Sequence, residues 1–444
     1  MQADTPSGAR LPSSRALLRG GVASVALRVI KTVLGIGLSV TIARVLSPDG
    51  YGIYASALAV VTILGLPAQF GLQALVVRET AGQLSNRNWS ELRGVLRFGF
   101  RFVSATSFGL GVGGVLIVWS VSPPGEGRSA TLVALAMLPL LALGSIRGAA
   151  LRGLGRVIQG QLPEFVLAPG VALTLIAVAL VRGASLTPSG VMGLRVLGAA
   201  AAFAIGTWML LRALPPAVRR AVPSGDQRTW LRSTVPLALI TGLQLLQAQL
   251  GTVIVKVASG STEAGLFAVA VQGSLLVTFV FGSTGMILGP AVARVRDGHD
   301  TQELQATITR ISRWNGALAL PVALLMTFAG REILGIVFGP EFMPGYAALA
   351  VLSLGQFLHA VSGPSALTLT MLGYEHQVAR ITVATTCVNL LATIALTVLL
   401  GATGAALGVA TALSFHKAAL HFATGRLTGL NTMALIRLHG RSDP

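Results

Sequence analysis

The chain has 444 residues, of which 53% are hydrophobic and only 11% are charged, and its mean hydropathy is +0.75. A soluble chain carries about 25% charged residues, so this composition excludes an ordinary soluble protein. The formal net charge is +18, but the basic residues stand in short loops between apolar runs, which argues against nucleic-acid binding. The single cysteine, Cys387, excludes an intrachain disulfide and a thiolate metal cluster.

Twelve apolar runs follow one another along the chain, each long enough for a membrane-spanning helix of about 20 residues. The first run follows Arg10, Arg15 and Arg19 as a signal peptide would, but it is too long and contains Arg28 and Lys31, so we expect it to be retained as a span. The predicted spans are 20–46, 52–77, 95–120, 129–150, 160–181, 189–212, 233–257, 262–290, 305–329, 344–371, 377–400 and 402–424.

Charge alternates between the loops of this twelve-span arrangement. The loops on one side carry clusters of arginine, whereas those on the other side carry only isolated cations, Arg44, Arg128, Arg182, Lys256 and Arg331. The positive-inside rule then places both termini of this multi-pass membrane protein in the cytoplasm.

The apolar sequence contains an internal repeat. Gly52-Ile53-Tyr54 recurs 213 positions later as Gly265-Leu266-Phe267, and Leu154-Gly155 recurs 218 positions later as Leu372-Gly373. Each copy holds six spans, an even number, so the two copies are predicted to be parallel, as in transporters with a site between two halves. The predicted division is a cytoplasmic N-terminal tail at 1–19, a first bundle at 20–213, a cytoplasmic linker at 214–231, a second bundle at 232–425 and a cytoplasmic C-terminal tail at 426–444.

Two cations stand inside the first predicted span. On a helical wheel Arg28 lies on one face with Thr32, Gly35 and Ser39, and Lys31 lies at its edge. This small, polar face is typical of a helix that lines a wet cavity; the alternative is that both cations snorkel to the cytoplasmic surface. We interpret Arg28 and Lys31 as candidate substrate-binding residues.

Amides and single polar residues in other spans are further candidates. Gln244 and Gln247 share a face of span seven, where they could bind sugar hydroxyls or a neighbouring helix. Gln272, His359 and Asn389 are weaker candidates for the same site. Arg101, Arg195 and Lys417 lie within a few turns of span ends, and we interpret them as snorkelling cations.

No acidic residue is predicted in the middle of a membrane helix. All fifteen of them, Glu164 included, fall in loops, at span ends or at the termini. A carrier of organic cations needs a buried carboxylate, whereas buried cations favour an anionic cargo such as phosphate or diphosphate, which guanidinium groups bind through paired hydrogen bonds. The chain has no catalytic, nucleotide-binding or metal-ligating motif, so we expect neither an enzyme nor a cofactor nor a metal site.

Three stretches resemble a known family. Residues 43–54 (ARVLSPDGYGIY), 333–354 (ILGIVFGPEFMPGYAALAVLSL) and the passage from Leu372-Gly373 to 401–406 are similar to bacterial polysaccharide flippases. These form the polysaccharide-transporter branch of the multidrug/oligosaccharidyl-lipid/polysaccharide (MOP) superfamily. The resemblance implies an all-α membrane protein with a V-shaped pair of six-helix bundles.

The resemblance also implies a function. Such a flippase moves a lipid-diphosphate-linked oligosaccharide, such as an O-antigen or exopolysaccharide unit on a polyprenyl carrier, to the outer leaflet, and glycan polymerase machinery is a candidate partner. Cations in the cavity are a family theme, and Arg28 and Lys31 occupy a suitable place. The alternatives are a multidrug antiporter of the same superfamily and a membrane glycan polymerase or ligase; the latter would need a large outer loop, which the sequence lacks.

Overall fold

The computed structural model describes residues 14–279 and 301–433, and within them it does not describe the side chains of 14–25, Arg28, Thr301 and several positions between 233 and 241. The described parts are helices joined by short turns. The first half comprises α1 (Ser14–Gln69), α2 (Leu72–Ser85), α3 (Trp89–Val121), α4 (Glu126–Leu135), α5 (Met137–Gly153), α6 (Val157–Leu162), α7 (Ala168–Val181) and α8 (Pro188–Ala213). A π-helical turn, Pro163–Leu167, joins α6 to α7.

The second half follows a linker that contains the short helix α9 (Pro216–Arg220). Its elements are α10 (Gln227–Ser259), α11 (Ser261–Thr278), α12 (Thr301–Phe328), α13 (Gly330–Val337), a 3₁₀ turn (Pro340–Gly345), α14 (Tyr346–Val361), α15 (Ser365–Met371) and α16 (Glu375–Thr428). These elements confirm the all-α architecture predicted from the apolar runs. Helices suit a bilayer because each one satisfies its own backbone hydrogen bonds.

The two longest helices are each broken by one non-helical residue. Ser47 divides α1 with φ 61° and ψ 171°, just before Pro48, and Gly401 divides α16 with φ 58° and ψ −136°. The chain reverses at both breaks, since Tyr51 donates a hydrogen bond back to Ser39 at 3.3 Å and a Cβ on Gly408 would lie 2.6 Å from the Cα of Thr393. Each long helix is therefore a pair of antiparallel helices.

Eight helical segments of the described chain are long and apolar enough to cross a membrane. Two of them, Val29–Gln69 and Glu375–Thr428, contain the breaks at Ser47 and Gly401. Helices α10 and α11 cover the predicted spans seven and eight, the second in part, but are not among the eight. A multi-pass membrane protein is thus confirmed, whereas the number twelve stays a prediction.

The two halves meet at one end of the molecule, which we call the kink end because Ser47, Gly260 and Gly401 lie there. The hydroxyl of Thr262 donates across the boundary to Asp49 at 3.5 Å, and within the second half the backbone N–H of Ala402 donates to Glu263 at 2.8 Å. The guanidinium of Arg44 reaches from the first half to the carbonyl oxygen of Val337 at 2.9 Å. One buried apolar cluster runs through both halves, so the kink end is held by contacts from each.

The linker marks the opposite end, which we call the linker end. It is fastened to α3, where Arg93 donates to the carbonyl of Ala221 at 2.5 Å and the N–H of Ser224 donates to the carbonyl of Ser90 at 3.1 Å. Beyond it, Trp230 is buried against Phe98, with ring centroids 5.6 Å apart. The linker is therefore packed against the first half and not a loose tether.

Candidate functional site

A cavity of about 490 Å³ lies between the two halves. Helices α1, α5, α7 and α8 and the π-helical turn line it from the first half, and α10, α11, α14 and α16 line it from the second. The repeated sequence therefore forms what the duplication predicted, a space bounded by both copies.

Lys31 lines this cavity from α1, together with Gly35 and Ser39 of the predicted polar face. Its Nζ lies 4.3 Å from the ring centroid of Phe165, a cation–π contact. The side chain of Arg28, the other cation predicted for this site, lies outside the described residues. The structure thus brings Lys31 into the predicted site and leaves Arg28 a prediction.

Arg195 of α8 also lines the cavity, which corrects its interpretation as a snorkelling cation. Its guanidinium donates a hydrogen bond to the hydroxyl of Tyr54 and lies 5.7 Å from that ring. Both aromatic contacts hold a cation at the wall, since a ring face attracts positive charge. The sequence could not reveal this, because Tyr54 and Arg195 are brought together only by the packing of α1 on α8.

Lys417 likewise does not snorkel. It is 8% exposed inside the second half, where its Nζ donates to the carbonyl of Gly363 at 3.2 Å, between α14 and α15. Arg101, in contrast, is exposed on α3, as its interpretation requires. Neither residue lines the cavity.

Glu164 is the acidic residue of the described cavity wall, whereas the sequence analysis considered it only as a charge near the end of a span. It lies in the π-helical turn, within the candidate span Val157–Val181, and pairs with Arg147 of α5. Arg147 is 1% exposed and also donates to the carbonyls of Ala202 and Phe203 at 3.2 and 2.6 Å. A buried charge is tolerated only with such partners.

Gly206 makes room for this guanidinium. A Cβ at Gly206 would lie 2.6 Å from Nε of Arg147. The carboxylate of Glu164 is thus balanced by a cation behind it, and the wall's remaining charges, Lys31 and Arg195, are both positive. The site as a whole keeps a positive excess, which suits an anionic ligand.

The second half contributes amides. Gln247 lines the cavity as predicted and donates to Thr386 at 2.5 Å, and Gln272 lines it as well. Gln249 and Gln356 join them, although the sequence analysis did not single them out. Their signal in the sequence is weak, because isolated glutamines in apolar helices occur at many helix contacts.

Three predicted site residues do not line the cavity. Gln244 is exposed on α10. Asn389 is 7% exposed and accepts a hydrogen bond from Thr393 at 2.9 Å within α16. His359 lies on α14 outside the lining.

A second cavity of about 300 Å³ lies toward the linker end, also between the halves. Gln69 and Gln73, which hydrogen-bond at 2.5 Å, line it from the first half together with Arg152. Helix α10 contributes Ala238 and Gly242. Polar side chains therefore line the boundary between the halves both near the linker end and in the central cavity.

Two family models match the chain, over residues 17–116 and 171–347, and both describe a polysaccharide biosynthesis protein. Over these residues the chain is similar to polysaccharide biosynthesis proteins. Together the two matches include α1, where Lys31 and Tyr54 lie, and α8, where Arg195 lies. No curated protein sequence matches the chain.

Solved structures show the fold of this chain. It is similar to an inward-facing MATE-family multidrug resistance transporter of the MOP superfamily (TM-score 0.71, 15% identity, 90% of this chain and 97% of that one). It is also similar to the lipid II flippase MurJ in an inward closed conformation (0.68, 13%, 91% and 87%). An outward-facing MATE transporter gives a TM-score of 0.60 at 14% identity, over 94% and 96% of the two chains. The predicted MOP fold is confirmed.

Proposed function

We propose that the chain is a flippase that moves a lipid-diphosphate-linked oligosaccharide across the bacterial cytoplasmic membrane for surface polysaccharide biosynthesis. The observation that carries the proposal is the pair of cations, Lys31 and Arg195, in a cavity between two halves. The family's description supplies the polysaccharide, and MurJ, a flippase, is among the proteins with a similar fold.

The diphosphate is the part of the cargo that these cations recognise. A guanidinium binds phosphate oxygens through two parallel hydrogen bonds, and an ammonium binds them as a point charge. Because the cavity is bounded by protein and lipid, these interactions are stronger than they would be in water. Phe165 and Tyr54 hold the two cations at the wall, which lowers the entropic cost of capturing the ligand.

Alternating access supplies the movement. By the charge of the loops, the linker end faces the cytoplasm and the kink end faces outward. The contacts of Asp49 with Thr262 and of Arg44 with Val337 therefore close the outer side. Cargo reaches Lys31 from the cytoplasmic side while its lipid tail stays in the bilayer. The two halves then separate at the kink end, which requires that cargo bind the two states unequally.

The location of the cargo after gene deletion tests this function. A deletion strain should accumulate lipid-linked saccharides on the cytoplasmic leaflet, and the wild-type gene should restore them to the outer leaflet. The measurement is the fraction of lipid-linked saccharide accessible to an impermeant glycosidase or lectin in intact cells. Accumulation on the outer leaflet in the deletion strain would show that the protein acts after transfer, as a polymerase or ligase does, and would overturn the proposal.

Glu164 favours one second candidate, an antiporter of organic cations. A carboxylate in a cavity wall can hold a cation and exchange it for a proton or sodium ion, and MATE-family multidrug transporters share the fold. The two functions make opposite predictions for cells that express the protein. An antiporter would lower the accumulation of ethidium and would lose this effect in Glu164→Gln but keep it in Lys31→Gln, whereas the flippase leaves ethidium accumulation unchanged in all three.

A further inference from the structure

The two halves contribute different chemistry to the central cavity. All charged groups in the described lining of the cavity come from the first half; they are Lys31, Glu164 and Arg195. The second half supplies only neutral side chains, among them Gln249, Gln272 and Gln356. The two walls therefore differ in charge, although the two copies repeat one another in part of their sequence.

Three of these amides face the cavity without a partner. Gln247 is bound to Thr386 of α16, but within the described part of the chain Gln249, Gln272 and Gln356 make no hydrogen bond. They come from three different helices, α10, α11 and α14, and share one cavity. Each offers two donors and one acceptor that a ligand can use.

The surroundings of the amides are apolar. Ala268, Val271, Leu275 and Leu352 lie in the same lining. A surface of this kind suits a carbohydrate, whose hydroxyl groups donate and accept hydrogen bonds while its C–H faces pack against apolar side chains. It suits a diphosphate poorly, because the amides carry no charge to balance the anion.

We infer that the second half is a carbohydrate-binding wall, which we call the amide wall (Gln249, Gln272 and Gln356), and that it binds the sugar attached directly to the diphosphate. The inference rests on the proposed function. A cavity of about 490 Å³ lies in the range of sites for small ligands, so it holds the diphosphate and the sugars next to it, while the rest of the glycan extends beyond. The cargo then lies across the cavity, with its diphosphate on the first half and its first sugar on the second.

The test compares two ligands on the full-length protein in lipid nanodiscs. One is the lipid-linked saccharide fraction extracted from the deletion strain, and the other is synthetic undecaprenyl diphosphate, which has no sugar. We expect wild-type protein to bind the saccharide lipid at least about tenfold more tightly, a difference of about 1.4 kcal/mol, since several hydrogen bonds to the sugar contribute together. Equal affinity for the two lipids would overturn the amide wall.

Variants of each wall show which residues contribute to the difference in affinity between the two lipids. Gln272→Met and Gln356→Met, which keep the side-chain length, should each weaken the saccharide lipid about fivefold and leave the bare diphosphate unchanged. Lys31→Gln and Arg195→Gln should weaken both lipids by a similar factor. Gln244→Met is the matched control, because this glutamine is exposed outside the cavity; it should change neither affinity.

Each remaining outcome has a distinct meaning. If Gln272→Met and Gln356→Met weaken both lipids alike, or neither lipid, the amide wall is wrong while the flippase stands. If the deletion strain accumulates no lipid-linked saccharide, or if wild-type protein binds neither lipid, the proposed function fails and the amide wall fails with it. Thermal unfolding of every variant verifies that the compared proteins are folded, and either glutamine variant alone is enough for the test.

Discussion

Gly52 and Gly265 face each other across the boundary between the two halves. A Cβ on Gly52 would lie 2.8 Å from the backbone nitrogen of Gly265, and a Cβ on Gly265 would lie 3.1 Å from that of Gly52. These glycines are the equivalent positions of the repeated sequence, so the duplication forms a contact of each copy with the other. Only glycine permits this approach of two backbones, and the contact closes the kink end.

Substitution of Gly52 should therefore open the kink end. In Gly52→Ala the added methyl group meets the backbone of α11, which cannot yield as a side chain could. The readout is a cysteine that replaces Ser39 in a Cys387→Ser background. In Gly52→Ala this cysteine should react with an impermeant maleimide added outside the cell about tenfold faster than without the substitution. A tenfold change corresponds to a shift of about 1.4 kcal/mol in the equilibrium between states.

Gly109→Ala is the control for this experiment, since a Cβ there meets nothing within 4 Å. It should leave the labelling rate at position 39 unchanged. An unchanged rate in Gly52→Ala as well would mean that the Gly52–Gly265 contact does not close the outer side.

The ion pair of Arg147 and Glu164 should depend on Gly206. Gly206→Ala displaces the guanidinium, and the loss of a buried charge partner should destabilise the protein by about 3 kcal/mol. In an Arg147→Met background the same glycine substitution should cost far less, because the group it displaces is gone. Thermal unfolding of the two single variants and the double variant in detergent measures this coupling; additive effects would contradict the placement of Arg147 against Gly206.

The predicted topology has its own test. In the Cys387→Ser background, a cysteine at Arg220 in the linker should react with impermeant maleimide only after the cells are permeabilised, because the linker end faces the cytoplasm. A cysteine at Ser185, in the turn between α7 and α8, should react in intact cells. The reverse pattern would invert the orientation, and reaction of both in intact cells would contradict the number of spans between them.

The sequence predicted the features that depend on local pattern. The polar face of α1 identified Lys31, because helical periodicity places residues along one helix without knowledge of its neighbours. The repeat identified Gly52 and Gly265 as equivalent, although their mutual contact depends on how the copies pack. Of the two amides predicted on one face of span seven, Gln247 lines the cavity and Gln244 does not, since a stripe of two residues does not determine how the helix is rotated in the bundle.

The features that depend on packing were missed. Arg195 and Glu164 stand near the ends of their spans, where hydropathy alone places charges at the membrane surface. Their position in the cavity follows from partners distant in the chain, Tyr54 for one and Arg147 for the other. The π-helical turn at Pro163–Leu167, which carries both Glu164 and Phe165, leaves no mark in the apolar periodicity.

The central claim is that Lys31 and Arg195 capture a diphosphate for transfer. The most direct test measures the leaflet distribution of lipid-linked saccharide in the complemented deletion strain. At equal membrane abundance, the double variant Lys31→Gln, Arg195→Gln should lower the outer-leaflet fraction at least about tenfold, because charge-assisted hydrogen bonds contribute about 1.5–3 kcal/mol each. Lys31→Arg, which keeps the charge, and Arg101→Gln, which removes an exposed cation outside the cavity, should export normally. Normal export by the double variant would contradict the account.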